Sequence, residues 1–276
     1  MRTDAVSFLT LQATLLNLYR AKGVVSLDGN ALPLHAHCSN AIGCWRGCER
    51  RIPSGAQSQL SLPWIGPRYC QARLLAIGEN LYEAGGLHKL EELVRAARQE
   101  LSEVTRMRVR FGSQWKTYRG SLVWHHVGAY AATILRSRGV EPFASMSWKP
   151  GEGVPRTATI AAYDFIAYTN HVKCSPNGDF SRPSQVMWDT CGRHFLRNEL
   201  EILEPDMVLV LGSANNGWRV REQALGYESR LRCVGRHVRQ DKLWHDGRAI
   251  EMVTVPHPSA RRVNWRSVCS ELEQGC

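Results

Sequence analysis

The chain has 276 residues, 43% of them hydrophobic, and a formal net charge of +10. This length and composition argue against a disordered or fibrous protein and suit one globular domain with additions. No apolar run approaches the roughly eighteen residues of a transmembrane helix, so no membrane partner and a cytoplasmic location are expected. The excess of Lys and Arg fits a partner with a phosphate backbone.

The chain opens with a predicted amphipathic helix at residues 4–21, in which leucines recur along one face. Closely spaced cysteines follow at Cys38, Cys44 and Cys48, beside several basic residues. Such spacing is typical of metal ligands, and by itself it does not separate zinc from iron–sulfur. The odd total of nine cysteines, without a secretion signal, argues against a disulfide framework.

The first predicted core strand, Arg73–Ile77, is short and apolar and ends at Gly78 and Glu79. A carboxylate in this position would lie over the edge of a sheet. Downstream, the pattern predicts a helix over residues 87–107. A basic stretch with interleaved aromatic residues follows, Arg106–Arg119, in which cations could hold phosphates while rings stack on bases. A solvated basic surface is the alternative interpretation of that stretch.

The second half of the chain follows the order of a βαβ unit. A helix is predicted within Arg119–Gly139, and the stretch at 139–163 is predicted to be irregular. Strands and helices then alternate, with Asn170 at the end of one strand and His257 after the last: Phe165–Thr169, Phe195–Leu203, Met207–Leu211 and Met252–Val255. The order predicts a three-layer α/β/α sandwich around a mostly parallel four-stranded sheet. Ligands of such sheets bind at the carboxyl ends of the strands.

Three ordered segments resemble one known family. They are TNHVKCSP at 169–176, LRNELEILEPDMVLVLGS at 196–213 with Cys191 ahead of it, and PHPSA at 256–260. Together they are similar to the iron–sulfur uracil-DNA glycosylases, known as family four. The resemblance implies a uracil-DNA glycosylase-like fold spanning residues 1–276, with an insertion at about 82–120.

The resemblance also implies roles for individual residues. Glu79 would orient the attacking water, Asn170 would bind the base edge, and His257 would stabilise the departing base. The base pocket would include Asn170, Gly78, Asn80, Gly85 and His126. DNA contacts are expected from Arg119 in the basic stretch and from Ser259, Arg261 and Arg262 after His257.

In the family, four cysteines hold a structural 4Fe–4S cluster. By resemblance the ligands here are Cys44, Cys48, Cys174 and Cys191. The first pair departs from the family pattern, because three residues rather than two separate Cys44 from Cys48, and Cys38 is a possible substitute for Cys44. We expect a monomer that binds DNA and needs neither a nucleotide cofactor nor a catalytic metal.

Departures from the family pattern bear on the substrate. The stacking phenylalanine of the family falls on His126, and the acidic residue that crowds the pyrimidine C5 edge falls on Gly85. With the insertion, these changes predict a monofunctional DNA glycosylase for a base larger than uracil, such as a bulky C5-modified cytosine in phage DNA, in antiviral defence. The alternatives are uracil excision in DNA repair, a catalytically silent DNA-binding protein and, more remotely, a zinc-ribbon-like interaction protein.

Overall fold

The structure is a computed structural model. It describes residues 8–22, 24–26, 36–38, 63–79, 107–111, 114–118, 121–149, 152–173, 183–212, 214–225, 232–245, 247–258, 260 and 263–275.

A seven-stranded sheet forms the centre of the fold, in the order β3-β7-β4-β8-β11-β10-β9. The four central strands are parallel. The strand at one edge, β3, runs antiparallel to β7, whereas on the other side β10 runs antiparallel to β11 and the edge strand β9 runs antiparallel to β10. The strands are β3 (Trp64–Ile65), β4 (Leu74–Gly78), β7 (Ile166–Asn170), β8 (Met207–Leu211), β9 (Arg232–Cys233), β10 (Arg239–His245) and β11 (Arg248–Val255).

Two antiparallel hairpins pair separately from this sheet: β1 (Val24–Ser26) with β2 (Ala36–Cys38), and β5 (Met107–Phe111) with β6 (Gln114–Tyr118). The helices are α1 (Phe8–Ala21), α2 (Tyr69–Ala72), α3 (Ser121–Ser137), α4 (Arg156–Phe165), α5 (Gln185–Cys191), α6 (Arg197–Leu203), α7 (Ala214–Arg219) and α8 (Trp265–Gly275). A π-helical turn, Gly192–Leu196, joins α5 to α6, and another, Val220–Leu225, extends α7.

Helices cover both faces of the sheet, so the predicted three-layer sandwich is confirmed. On one face, alternate strand residues such as Ala76 and Leu209 pack with apolar residues of α3, α4 and α8. On the other face, Ile77 and Val208 pack with α1 and α6, including Leu200. Three of the central strands, β4, β7 and β8, are buried along their whole length, as parallel strands covered on both faces must be.

All four predicted strands are present, but the sheet has seven strands rather than four. The three additional strands are short or carry charged residues, as edge strands commonly do, and so they lack the apolar run on which the prediction depended. One of them, Trp64–Ile65, lies in a stretch rich in Pro, Ser and Gly.

Two helix predictions were also incomplete. Residues 139–163 were expected to be irregular, yet α4 begins at Arg156, directly after Pro155, because Ala158, Ala162 and Phe165 form an apolar face that packs in the core. The helix predicted to start at Phe195 already begins at Gln185, where the Ser184 hydroxyl accepts a hydrogen bond from the Met187 amide at 3.3 Å.

Other predictions lie outside the described residues. These are the start of the N-terminal helix before residue 8, the helix over 87–107 except for its last residue, and most of the insertion. Within the insertion the structure describes the β5–β6 hairpin, whose register sets Arg110 opposite Trp115.

Candidate active site

The order of the parallel strands defines where a ligand can bind. From β4 the chain passes to β7 on one side, and the following strand, β8, pairs with β4 on its other side. Reversals of this kind open a crevice at the carboxyl ends of the strands, and ligands of open α/β folds bind there. Gly78 and Glu79 at the end of β4, and Asn170 at the end of β7, lie at this switch point.

Asn170 is completely buried beside Gly78, with which it pairs in the sheet register. The Tyr168 hydroxyl donates a hydrogen bond to Asn170 Oδ1 at 3.1 Å. A Cβ atom at Gly78 would overlap both Asn170 Oδ1 and the Tyr168 hydroxyl. Only glycine therefore leaves room at this position for the Asn170 amide.

Backbone pairing continues past the ends of β4 and β7. The His171 amide donates to the Gly78 carbonyl at 2.9 Å, and the Val172 amide donates to the Glu79 carbonyl at 3.0 Å. These two bonds fix the backbone of Glu79 next to that of Asn170, and Glu79 itself is only partly buried. The structure thus brings together two of the three predicted catalytic residues.

His257 follows the end of β11, which is separated from β4 by β8 alone. The start of α3 reaches the same turn, since His126 Nδ1 donates to the Pro258 carbonyl at 2.8 Å. The His126 ring also stacks on Trp265, with ring centroids 5.4 Å apart. His126 is therefore a neighbour of the His257 turn, although the two residues are far apart in sequence.

Burial keeps the histidines of this region uncharged near neutral pH. It lowers the pKa of His257. It also lowers the pKa of His126, against the opposing effect of the hydrogen bond to Pro258. For His125, burial and then the neighbouring His126 and Arg156 lower the pKa to about 4. Because His126 Nδ1 carries the proton, Nε2 is an acceptor, and this atom has no hydrogen-bond partner among the described residues.

A buried ion pair supports the segment after β7, and sequence reasoning missed it. Lys173 Nζ donates to Glu199 Oε2 and to the Asn170 carbonyl, each at 2.6 Å, and to Thr169 Oγ1 at 2.7 Å. The Tyr19 hydroxyl of α1 donates to the other Glu199 oxygen. One sequence signal was available: Glu199 falls among Leu196, Leu200 and Leu203, on the apolar face of its helix.

Tyr168 was not predicted as a site residue either, because an aromatic residue in an apolar strand is usually core.

Among the predicted cluster ligands, Cys191 is buried at the end of α5. The remaining predicted ligands and several predicted DNA or pocket residues lie outside the described residues: Cys44, Cys48, Cys174, Asn80, Gly85, Arg119, Ser259, Arg261 and Arg262. Within the described ranges no group of three or more potential metal ligands is present.

Comparison with known families bears directly on this site. Residues 143–274 match the family model of the Uracil DNA glycosylase superfamily. The match includes Asn170, Cys191 and His257, whereas Gly78, Glu79 and His126 lie before it. It indicates a DNA glycosylase, a hydrolase that acts on DNA. A search of curated proteins returned no match.

No helix in the described part of the chain combines the length and the apolar character needed to cross a membrane.

Proposed function

We propose that this protein is a monofunctional DNA glycosylase that hydrolyses the N-glycosidic bond of a flipped-out pyrimidine and leaves an abasic site. The observation that carries this proposal is the juxtaposition of Glu79 and Asn170 at the switch point of the sheet. Asn170 belongs to the part of the chain, residues 143–274, that matches the superfamily. The net charge of +10 is consistent with a DNA partner.

Each residue has a distinct chemical role in this proposal. The target nucleotide leaves the duplex, because the enzyme cannot reach the bond inside the base stack. Asn170 binds the base edge, since its amide offers one acceptor and one pair of donors. His257, kept neutral by burial, donates a hydrogen bond to the oxygen on which charge develops as the base departs. Glu79 orients a water toward C1′ of an oxocarbenium-like sugar.

For the base, we propose a bulky C5-modified cytosine of phage DNA, which would make the protein a defence enzyme. The support is the glycine at position 85, the insertion at about 82–120, and His126 in place of a stacking phenylalanine. Uracil excision in repair is the alternative.

We also propose that Cys44, Cys48, Cys174 and Cys191 hold a 4Fe–4S cluster, with Cys38 as a possible replacement for Cys44. Four thiolates are the donor set that such clusters take, and the one ligand described, Cys191, is buried on a helix. The cluster would be structural, tying the N-terminal segment to the sheet, and no chemical step passes through it. The enzyme would act as a monomer without a nucleotide cofactor.

The test is base release from duplex and single-stranded DNA containing either uracil or a bulky C5-modified cytosine, detected as alkali-induced strand breaks. Breaks at the modified cytosine alone support the proposed substrate, whereas breaks at uracil alone assign the protein to repair. Asn170→Ala and His257→Ala should abolish release while binding of the same DNA persists. A parent protein that binds DNA but releases none of the bases tested would instead be a DNA-binding protein without catalysis.

A further inference from the structure

Tyr168 occupies an unusual position for a core aromatic residue. It lies two residues before Asn170 in β7, so both side chains project to the same face of the sheet. Its ring is buried in the hydrophobic core on that face of the sheet. Its hydroxyl reaches the carboxyl ends of the parallel strands, where it donates to Asn170 Oδ1 at 3.1 Å. Burial raises the pKa of Tyr168, so the hydroxyl retains its proton at any physiological pH.

The orientation of the Asn170 amide matters because its two ends have opposite hydrogen-bonding character. Rotation by half a turn exchanges the acceptor and the donors that face a base. The edges of uracil and cytosine differ in the same sense, since position 4 is an acceptor in one and a donor in the other. An amide that rotates freely would therefore accept both edges, whereas a fixed amide favours one.

Two features fix the amide. The Tyr168 hydroxyl supplies a donor to Oδ1, and a phenol is a better donor than acceptor. Gly78 lacks the Cβ atom that would overlap both groups, so the hydrogen-bonded pair fits against the end of β4. The hydroxyl and the glycine thus act together on one amide.

We propose that Tyr168 is a positioning residue that fixes the orientation of the Asn170 amide and thereby sets which pyrimidine edge the site accepts. This inference rests on the proposed glycosylase function. Tyr168 acts through Asn170 and is not itself a catalytic residue.

The test compares Tyr168→Phe with Tyr69→Phe. Tyr69 is a matched control, because it is also fully buried and its hydroxyl donates to the Leu203 carbonyl at 3.1 Å, within the core on the opposite face of the sheet. Single-turnover rates are measured on duplexes containing uracil or C5-modified cytosine, together with Kd for the same duplexes and the urea midpoint of unfolding.

We expect Tyr168→Phe to reduce the ratio of the rate on the preferred base to the rate on the other base by about three- to tenfold, the equivalent of one hydrogen bond. The Kd for each duplex should be unchanged. Tyr69→Phe should leave that ratio as it is, even where its unfolding midpoint falls by the same amount. An active parent whose preference survives Tyr168→Phe overturns this inference and leaves the proposed function standing. A parent that releases neither base overturns both.

Discussion

The buried pair Lys173–Glu199 offers the sharpest test of how the site is supported. Both side chains are 0% exposed, and Nζ lies 2.6 Å from Oε2. Glu199→Gln preserves the shape of the side chain but removes its charge, so Lys173 is left as a buried cation without a counter-charge. Removing one partner of a buried ion pair costs about 3–5 kcal/mol of unfolding free energy.

The same substitution at Glu201 is a matched control, two residues along α6. Glu201 is 41% exposed and lies 3.5 Å from Arg197 in a surface ion pair. Such pairs contribute about 0–1 kcal/mol. The free energy of unfolding of each variant is measured in urea and compared with that of the parent.

A double substitution separates the charge from its surroundings. Replacing both partners by apolar residues, Lys173→Met with Glu199→Leu, leaves no uncompensated charge, so we expect it to be less destabilising than Glu199→Gln alone. Equal destabilisation by Glu199→Gln and Glu201→Gln would show that the buried charge pair does not support the site in this way. Loss of the pair should also slow base release, because Lys173 holds the Asn170 carbonyl.

Three further outcomes are expected. Gly78→Ala should abolish base release and cost about 1–3 kcal/mol of stability, because the new Cβ displaces the Asn170 amide. His171→Gln should make stability less dependent on pH in the acid range. Burial and then the charge of Lys173 lower the His171 pKa to about 3, so between that pH and about 6.5 only the unfolded chain binds the proton. In the parent, the free energy of unfolding therefore falls with decreasing pH by roughly 1.4 kcal/mol per pH unit over this range. Cys191→Ser should remove iron and visible absorbance from the purified protein.

Each of these has its own check. For Gly78, base release and urea unfolding of the same preparation show whether activity is lost in a folded protein. For His171, urea unfolding is repeated from pH 4 to pH 7, and His194→Gln, at an exposed position on the neighbouring helical turn, controls for the loss of a histidine. For Cys191, the equally buried Cys269 in α8 is the control, and iron retained in Cys191→Ser would contradict the proposed ligand.

The sequence by itself determined the core of the fold. Parallel strands covered on both faces need continuous apolar runs, so residues such as Met207–Leu211 are recognisable without knowledge of their partners. The polar residue at the end of such a run, Asn170, follows from the same pattern. The order of strands and helices then predicted the layers and the sheet edge that carries the candidate site.

Tertiary structure alone decided which side chains meet. The Tyr19 hydroxyl contacts a carboxylate 180 positions away, and the His126 ring contacts a carbonyl 132 positions away. Hydrophobic periodicity records which face of an element is buried, but it carries no information about the partner on the other side. The hydroxyl of Tyr168 and the charge of Lys173 are interpretable only once their partners are known, because a buried polar group is defined by what it bonds to.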